Sequence, residues 1–239
     1  MYSNLNYYLG LSESLQCEFI TIADSNIDGN FLVHHFISSV LKNGGKVCLF
    51  GFVQTLTHYS NACQKLGVNL QTYTDEGSFA FVDILKSICD SFLESDTLFY
   101  DISSPGYSLK GLWEVIQKNI LSRSLLILDD ITSLVNIGVS AQVVADLLHY
   151  CKVATHKQCV SFVILGHCNE DDVVYSRVQA FMKSYSTLAV HVSSLKTGYS
   201  SDVSGEIVIY KKKKTNRMHF KLADKDVKLF PVGTCPAVL

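Results

Sequence analysis

From Phe19 to Phe31 the chain reads FITIADSNIDGNF, and this stretch decides the fold. Phe19 to Ala23 is a short, nearly continuous apolar run, the pattern of a strand covered on both faces. Asp24-Ser25-Asn26-Ile27-Asp28-Gly29 follows as a polar loop. From Phe31 to Leu41 apolar residues recur at 32/33, 36/37 and 40/41, the spacing of a buried helix. Gly44-Gly45 ends that helix, because glycine takes the left-handed backbone of a helix terminus without steric cost.

The alternation repeats outward from there. Lys46 to Phe52 (KVCLFGF) predicts a second buried strand, and Leu56 to Leu66 a helix stopped by Gly67. Phe79 to Leu93 begins as a strand and becomes helical, and Leu109 to Leu121 has an amphipathic helical period. Leu125 to Leu128 (LLIL) is a buried strand running into Asp129-Asp130. Ser140 to Cys151 predicts a helix with Ser140 as its N-cap, and Val160 to Gly166 (VSFVILG) another buried strand. After Ser186 the segments 187–192, 206–212, 217–222 and 227–230 look like strands with no helix between them. Helices between buried strands imply a parallel sheet, and the closing strands an antiparallel β meander on one edge. The expected architecture is one α/β domain over residues 1–239, a RecA-like parallel sheet flanked by helices with a C-terminal antiparallel meander.

Composition narrows the function classes. The 239 residues are 48% hydrophobic and include only 3 Pro, which excludes a disordered or low-complexity chain. No apolar run nears the roughly 18 residues of a membrane helix, and Met1 to Leu15 holds no Lys or Arg for a secretory or transit signal. The chain is therefore expected to be soluble and cytoplasmic, with the nucleus as a second compartment, and to use no membrane. Charged residues are 18%, against about 25% in an average globular domain, so part of the surface is expected to be covered by a partner. The net charge of −2 hides an imbalance: His191 to Leu239 carries nine Lys/Arg against four Asp/Glu, or +5, leaving −7 for the rest. The run Lys211-Lys212-Lys213-Lys214 with Arg217 is thus a candidate for a polyanion or an acidic partner subunit, against the plainer alternative of a solvated hairpin tip. None of the eight cysteines makes a CxxC pair, so most are expected to be small buried apolar side chains, Cys48 and Cys168 above all.

In this fold the first strand-to-helix turn is where a nucleotide would bind. A phosphate-cradling loop needs G-x-x-x-x-G-K-[ST], with glycines for backbone approach, a lysine for charge and a hydroxyl for Mg²⁺. Residues 24–31 occupy that frame, and only Gly29 fits. Asp24 replaces the first glycine, Asn30 the lysine and Phe31 the hydroxyl, and Asp28 adds a second negative charge that opposes an anion. Asp28 or Asn30 is expected to cap the following helix instead. Asp129 and Asp130 stand where a Mg²⁺-binding carboxylate would, but with no Mg-nucleotide to serve they are expected to cap the next segment or meet a neighbour. Gln54, after the second strand, cannot act as a base. No catalytic residue, cofactor or metal is expected. His34 and His35 are adjacent on a helix, about 100° apart, so they cannot converge on one metal; with Ser38, Ser39 and Lys42 they mark a solvated or partner-facing helix face.

Several stretches together carry a family resemblance. Asp28 to Phe36 (DGNFLVHHF), Lys65 to Val68 (KLGV), Leu195 to Gly205 (LKTGYSSDVSG) and Pro236 to Leu239 (PAVL) resemble the family of sixth subunits of the Elongator complex. The likeness spans almost the whole chain, with little of it in 70–124 and 169–186. It implies a RecA-like subunit that assembles with the fourth and fifth Elongator subunits into a hetero-hexameric ring, two copies of each. That ring joins the catalytic Elongator subunits, which begin modification of the wobble uridine of tRNA, and it is implied to bind tRNA. It also implies a non-catalytic, pseudo-ATPase subunit, in agreement with the loop chemistry. In such a setting Lys211 to Lys214 and Arg217 become a candidate for the tRNA backbone, since phosphate attraction is independent of sequence. An active RecA-type ATPase with an unconventional nucleotide loop is the competing expectation.

Overall fold

The structure is a computed structural model and describes residues 3–9, 15, 17–93, 109–120, 124–168, 171–196, 198–211, 214–223 and 226–234. Its elements are α1 (Ser3–Leu9), β1 (Phe19–Ser25), α2 (Asn30–Lys42), β2 (Lys46–Gly51), α3 (Leu56–Lys65), α4 (Leu70–Asp75), β3 (Phe79–Asp83), α5 (Ile84–Leu93) and α6 (Lys110–Lys118). They continue as β4 (Ser124–Asp129), α7 (Ser133–Asn136), α8 (Ala141–Gln158), β5 (Ser161–His167), α9 (Val173–Tyr185), β6 (Leu188–Ser193), β7 (Gly205–Lys211), β8 (Lys214–Ala223) and β9 (Asp226–Pro231).

The nine strands form one sheet in the order β3-β2-β4-β5-β1-β6-β7-β8-β9. The strands from β3 to β6 in that order run parallel, and β7, β8 and β9 are antiparallel. This is the parallel body with a closing meander that the apolar runs imply. The runs are continuous because helices cover both faces. Ile20, Ile22, Ile127 and Leu165 join α1 to α4 in one core cluster. Phe19, Leu126, Leu128 and Ile164, one residue out of phase, join α5 to α9 in the other. Burying a Leu, Ile or Phe side chain contributes about 1.5–3 kcal/mol, and here successive residues of a strand both collect it. Gly205 has a steric reason to be glycine, since a Cβ there would lie 2.6 Å from the Ser193 carbonyl oxygen across the β6–β7 pair.

Four helices go beyond the sequence pattern: α1, α4, α9 and the four-residue α7. Among its described side chains α1 buries Leu5 and Leu9, and α4 is a six-residue helix whose N-cap, Asn69, accepts the Gln71 N–H at 3.1 Å. α9 carries a clearer signature, with Asp172 accepting from the Val174 N–H at 2.7 Å and Val178 and Met182 buried four residues apart. α1 corrects the expected solvated face of α2. His35 and Ser38 are buried, and Asn6 Oδ1 accepts from His35 Nε2 at 2.7 Å. The cysteine expectation is corrected in part. Cys48, Cys63 and Cys151 are buried, but Cys168 lies just past β5 and is half-buried, as are Cys17 and Cys159, while Cys89 is exposed. Among the described residues no helix is long and apolar enough to cross a membrane.

Candidate functional site

The carboxyl ends of β1, β5 and β4 lie side by side, and the register sets Asp24 directly opposite His167. Alternation continues the pattern of Ile22, Leu165 and Ile127, so Asp24, His167 and Asp129 all belong to the α2 face of the sheet. This is the position where an open α/β sheet receives its ligand.

Here the chain's own side chains bond to the loop. Asp24 is buried, and its Oδ2 accepts the Gly29 N–H at 2.7 Å. Asp28 Oδ1 accepts the Asn30 N–H at 2.8 Å, so the expected capping by Asp28 is present. Two backbone donors that would face phosphate are therefore taken by carboxylates. Asn30 makes no such cap, and its buried side-chain oxygen has no partner among the described residues. Gly29 is not in a left-handed conformation; its value is space, because a Cβ would come within 3.1 Å of the Asp24 carboxylate. Phe31, in the place of the hydroxyl ligand, stacks on Phe220 of β8 with ring centroids 5.3 Å apart, tying α2 to the meander.

His167 sets a positive charge against this cluster. Its Nδ1 lies 2.6 Å from Asp24 Oδ1 and its Nε2 lies 3.4 Å from Asp130 Oδ2. The hydrogen bond to Asp24, aided by the charge of Asp130, raises its pKa to about 9 against the opposing effect of burial, so the imidazolium persists at neutral pH. Asp130 Oδ1 accepts from the Thr132 N–H at 2.7 Å and from the Thr132 hydroxyl, capping the next turn as expected. Burial pushes its carboxyl up while His167 pulls it down. Asp129 Oδ2 accepts from the Tyr59 hydroxyl at 2.7 Å. Burial carries that carboxyl up to about 7, and burial with the Asp129 charge likewise drives the Tyr59 hydroxyl upward.

The chemistry available follows from these contacts. A protonated His167 is neither a general base nor a metal ligand, and its positive charge is spent on two carboxylates. Among the described residues no group of three or more His, Cys, Asp or Glu is arranged to hold a metal ion. The sequence pattern marks Asp24, Asp28, Asp129 and Asp130 but misses His167, Tyr59 and Thr132. His167 was within reach: it follows VSFVILG, the strand that parallel pairing places between FITIA and LLIL.

The basic candidate lies elsewhere. Lys211 pairs with Lys214 at the end of the β7–β8 hairpin, and Lys211 also pairs with Leu188, the first residue of β6. The hairpin end is thus at the amino ends of the parallel strands, opposite the Asp24 cluster. Lys214 is exposed and Lys211 half-buried, while Lys212 and Lys213 lie outside the described residues. Arg217 is partly neutralised, its Nη2 lying 3.0 Å from Glu206 Oε1.

Fold and site together define a RecA-like α/β protein whose first strand-to-helix loop is held by its own acidic and imidazole side chains. In architecture it is similar to a KaiC-like protein of Pyrococcus horikoshii OT3, with a TM-score of 0.61, 11% identity and 90% of each chain covered. The chain belongs to the family described as Elongation complex protein 6, whose model matches residues 2–228. It is 32% identical over 265 residues to Elongator complex protein 6 of Danio rerio and 28% identical over 270 residues to that of Homo sapiens, with 100% of both chains covered in each case. The Dictyostelium discoideum protein of the same name is 23% identical over 337 residues, covering 98% of each.

Proposed function

We propose that this chain, as one RecA-like domain, is a non-catalytic subunit of the Elongator accessory ring, assembled with the fourth and fifth Elongator subunits. In that ring it would support tRNA binding and wobble-uridine modification by the catalytic Elongator subunits. Family membership supports the complex, and the Asp24–His167–Asp130 cluster supports the non-catalytic role. A triphosphate approaching the loop would meet carboxylates bonded to the very N–H groups it needs. Isothermal calorimetry of the isolated chain is expected to show no Mg-ATP binding; micromolar binding would support the competing ATPase reading.

A second observation supports a subunit interface at the same place. Val53 and Leu56 follow β2, Val173 and Val174 follow β5, and Tyr199 follows β6, so all five rise at the carboxyl ends of parallel strands. These are five of the eight large apolar side chains that stand exposed among the described residues, Tyr199 at 98%. An apolar rim around a closed nucleotide position is what a partner subunit covers. The lysine hairpin at the opposite end remains free for tRNA in this arrangement. Replacing Lys211, Lys212, Lys213 and Lys214 with Ala is expected to weaken tRNA binding by the assembled ring and flatten its salt dependence. Unchanged binding would remove the hairpin from the tRNA surface.

A further inference from the structure

Away from the site, two cysteines meet at the amino end of the sheet. Cys17 lies two residues before β1 and Cys159 two residues before β5, and these strands are parallel neighbours with Phe19 opposite Phe162. Flanking hydrogen bonds fix the two approaches side by side. The Phe162 N–H donates to the Glu18 carbonyl at 2.9 Å, and the Glu18 N–H donates to Ser161 Oγ at 3.2 Å. The Sγ atoms stand 2.8 Å apart, closer than sulfurs that ignore one another pack. Both residues are half-buried, within reach of a small thiol reagent.

The backbone adds an independent observation. Three non-glycine residues have positive φ among those described, and two of them are Cys17 (53°) and Cys159 (52°). Cys159 takes this conformation where α8 ends, a position that glycine fills at no cost. Each left-handed side chain bears a conformational cost, and the two together bring the thiols into contact.

We propose that Cys17 and Cys159 form a reversible disulfide that clamps the amino ends of β1 and β5, closed by exchange with a small-molecule disulfide such as oxidised glutathione. One cysteine, as thiolate, attacks a glutathione sulfur, forming a mixed disulfide and releasing one glutathione thiolate. The second cysteine thiolate then attacks the protein sulfur of that mixed disulfide, forming the Cys17–Cys159 bond and expelling the second glutathione. The two cysteine sulfurs are oxidised by two electrons, the glutathione disulfide is reduced, and the two cysteine protons end on the two glutathione thiols. The hydrogen bond to Cys159 and burial hold the Cys17 thiol up, so closure is driven by proximity rather than by an activated thiolate. The bond joins residues 142 apart in sequence, a long loop for the unfolded chain to lose.

The test is equilibration of the full reduced chain in glutathione buffers of increasing oxidised fraction, followed by alkylation, peptide mapping and thermal denaturation. The expected result is a Cys17–Cys159 cross-linked peptide and a rise in Tm of roughly 10 °C. Both are lost in Cys17→Ser and in Cys159→Ser and kept in Cys89→Ser. Full alkylation of both cysteines in the most oxidised buffer, or two separate glutathione adducts, would overturn the disulfide. A cross-link that leaves Tm unchanged would overturn the clamp.

Discussion

His167 serves two carboxylates at once, and its protonation should be visible in the stability of the whole chain. Its pKa is raised from 6.5 to about 9, so the folded state keeps a proton that the unfolded chain loses, and the stabilisation fades as pH rises through about 9. Asp129, raised from 3.8 to about 7, also favours the folded state at lower pH, with its contribution lost between those values. His34 and His35 act in the opposite sense. Burial lowers both to about 4, so stability is regained as pH rises from there to their ordinary 6.5. Above about pH 7 the contributions of His34, His35 and Asp129 no longer change, so Tm measured against pH is expected to fall from there to about pH 9 as His167 loses its proton. His167→Gln should flatten the alkaline limb, and a wild-type Tm still climbing at pH 9 would contradict the imidazolium. Tyr59→Phe removes the donor to the buried Asp129 carboxyl and is expected to cost about 1–3 kcal/mol in urea denaturation. At this scale the sequence pattern marks the acids, because they break a phosphate-loop frame. It misses their partners, because Tyr59 and His167 enter from other elements.

At the scale of elements, β1, the 26–29 loop and α2 act as one closed unit. Restoring the missing residues of the phosphate loop with Asn30→Lys and Phe31→Thr should not create an ATP site, because Asp24 would still hold the Gly29 N–H and His167. The same pair of changes breaks the Phe31–Phe220 stack and is expected to cost about 2 kcal/mol. Calorimetry with Mg-ATP and a thermal scan of this variant check both statements. Truncating α1 at Leu5 (Leu5→Ala) should cost about 2–4 kcal/mol in thermal or urea denaturation, since Leu5 is fully buried. The strands were legible because runs such as LLIL and VSFVILG are buried on both faces and need no partner to be recognised. α9 was legible in principle from Asp172, Val178 and Met182. α1 was not, because seven residues with two buried leucines form a helix only against a core that other segments supply.

Across the whole molecule the sheet has two working ends. The carboxyl ends of the parallel strands carry an acidic cluster bridged by His167 and rimmed by Val53, Leu56, Val173, Val174 and Tyr199. The amino ends carry the lysine hairpin and the Cys17–Cys159 pair. The low charge fraction of 18% fits a chain that gives up part of its surface to neighbours. The most direct measurement is the native mass of the assembly formed when this chain is co-expressed with the fourth and fifth Elongator subunits, as wild type and as Leu56→Asp/Val174→Asp. The wild type is predicted to give a mixed ring with two copies of each subunit. The variant is predicted to lose the ring while the isolated variant keeps the wild-type Tm. A wild-type chain that enters no ring, or a variant that enters it unimpaired, would contradict the account.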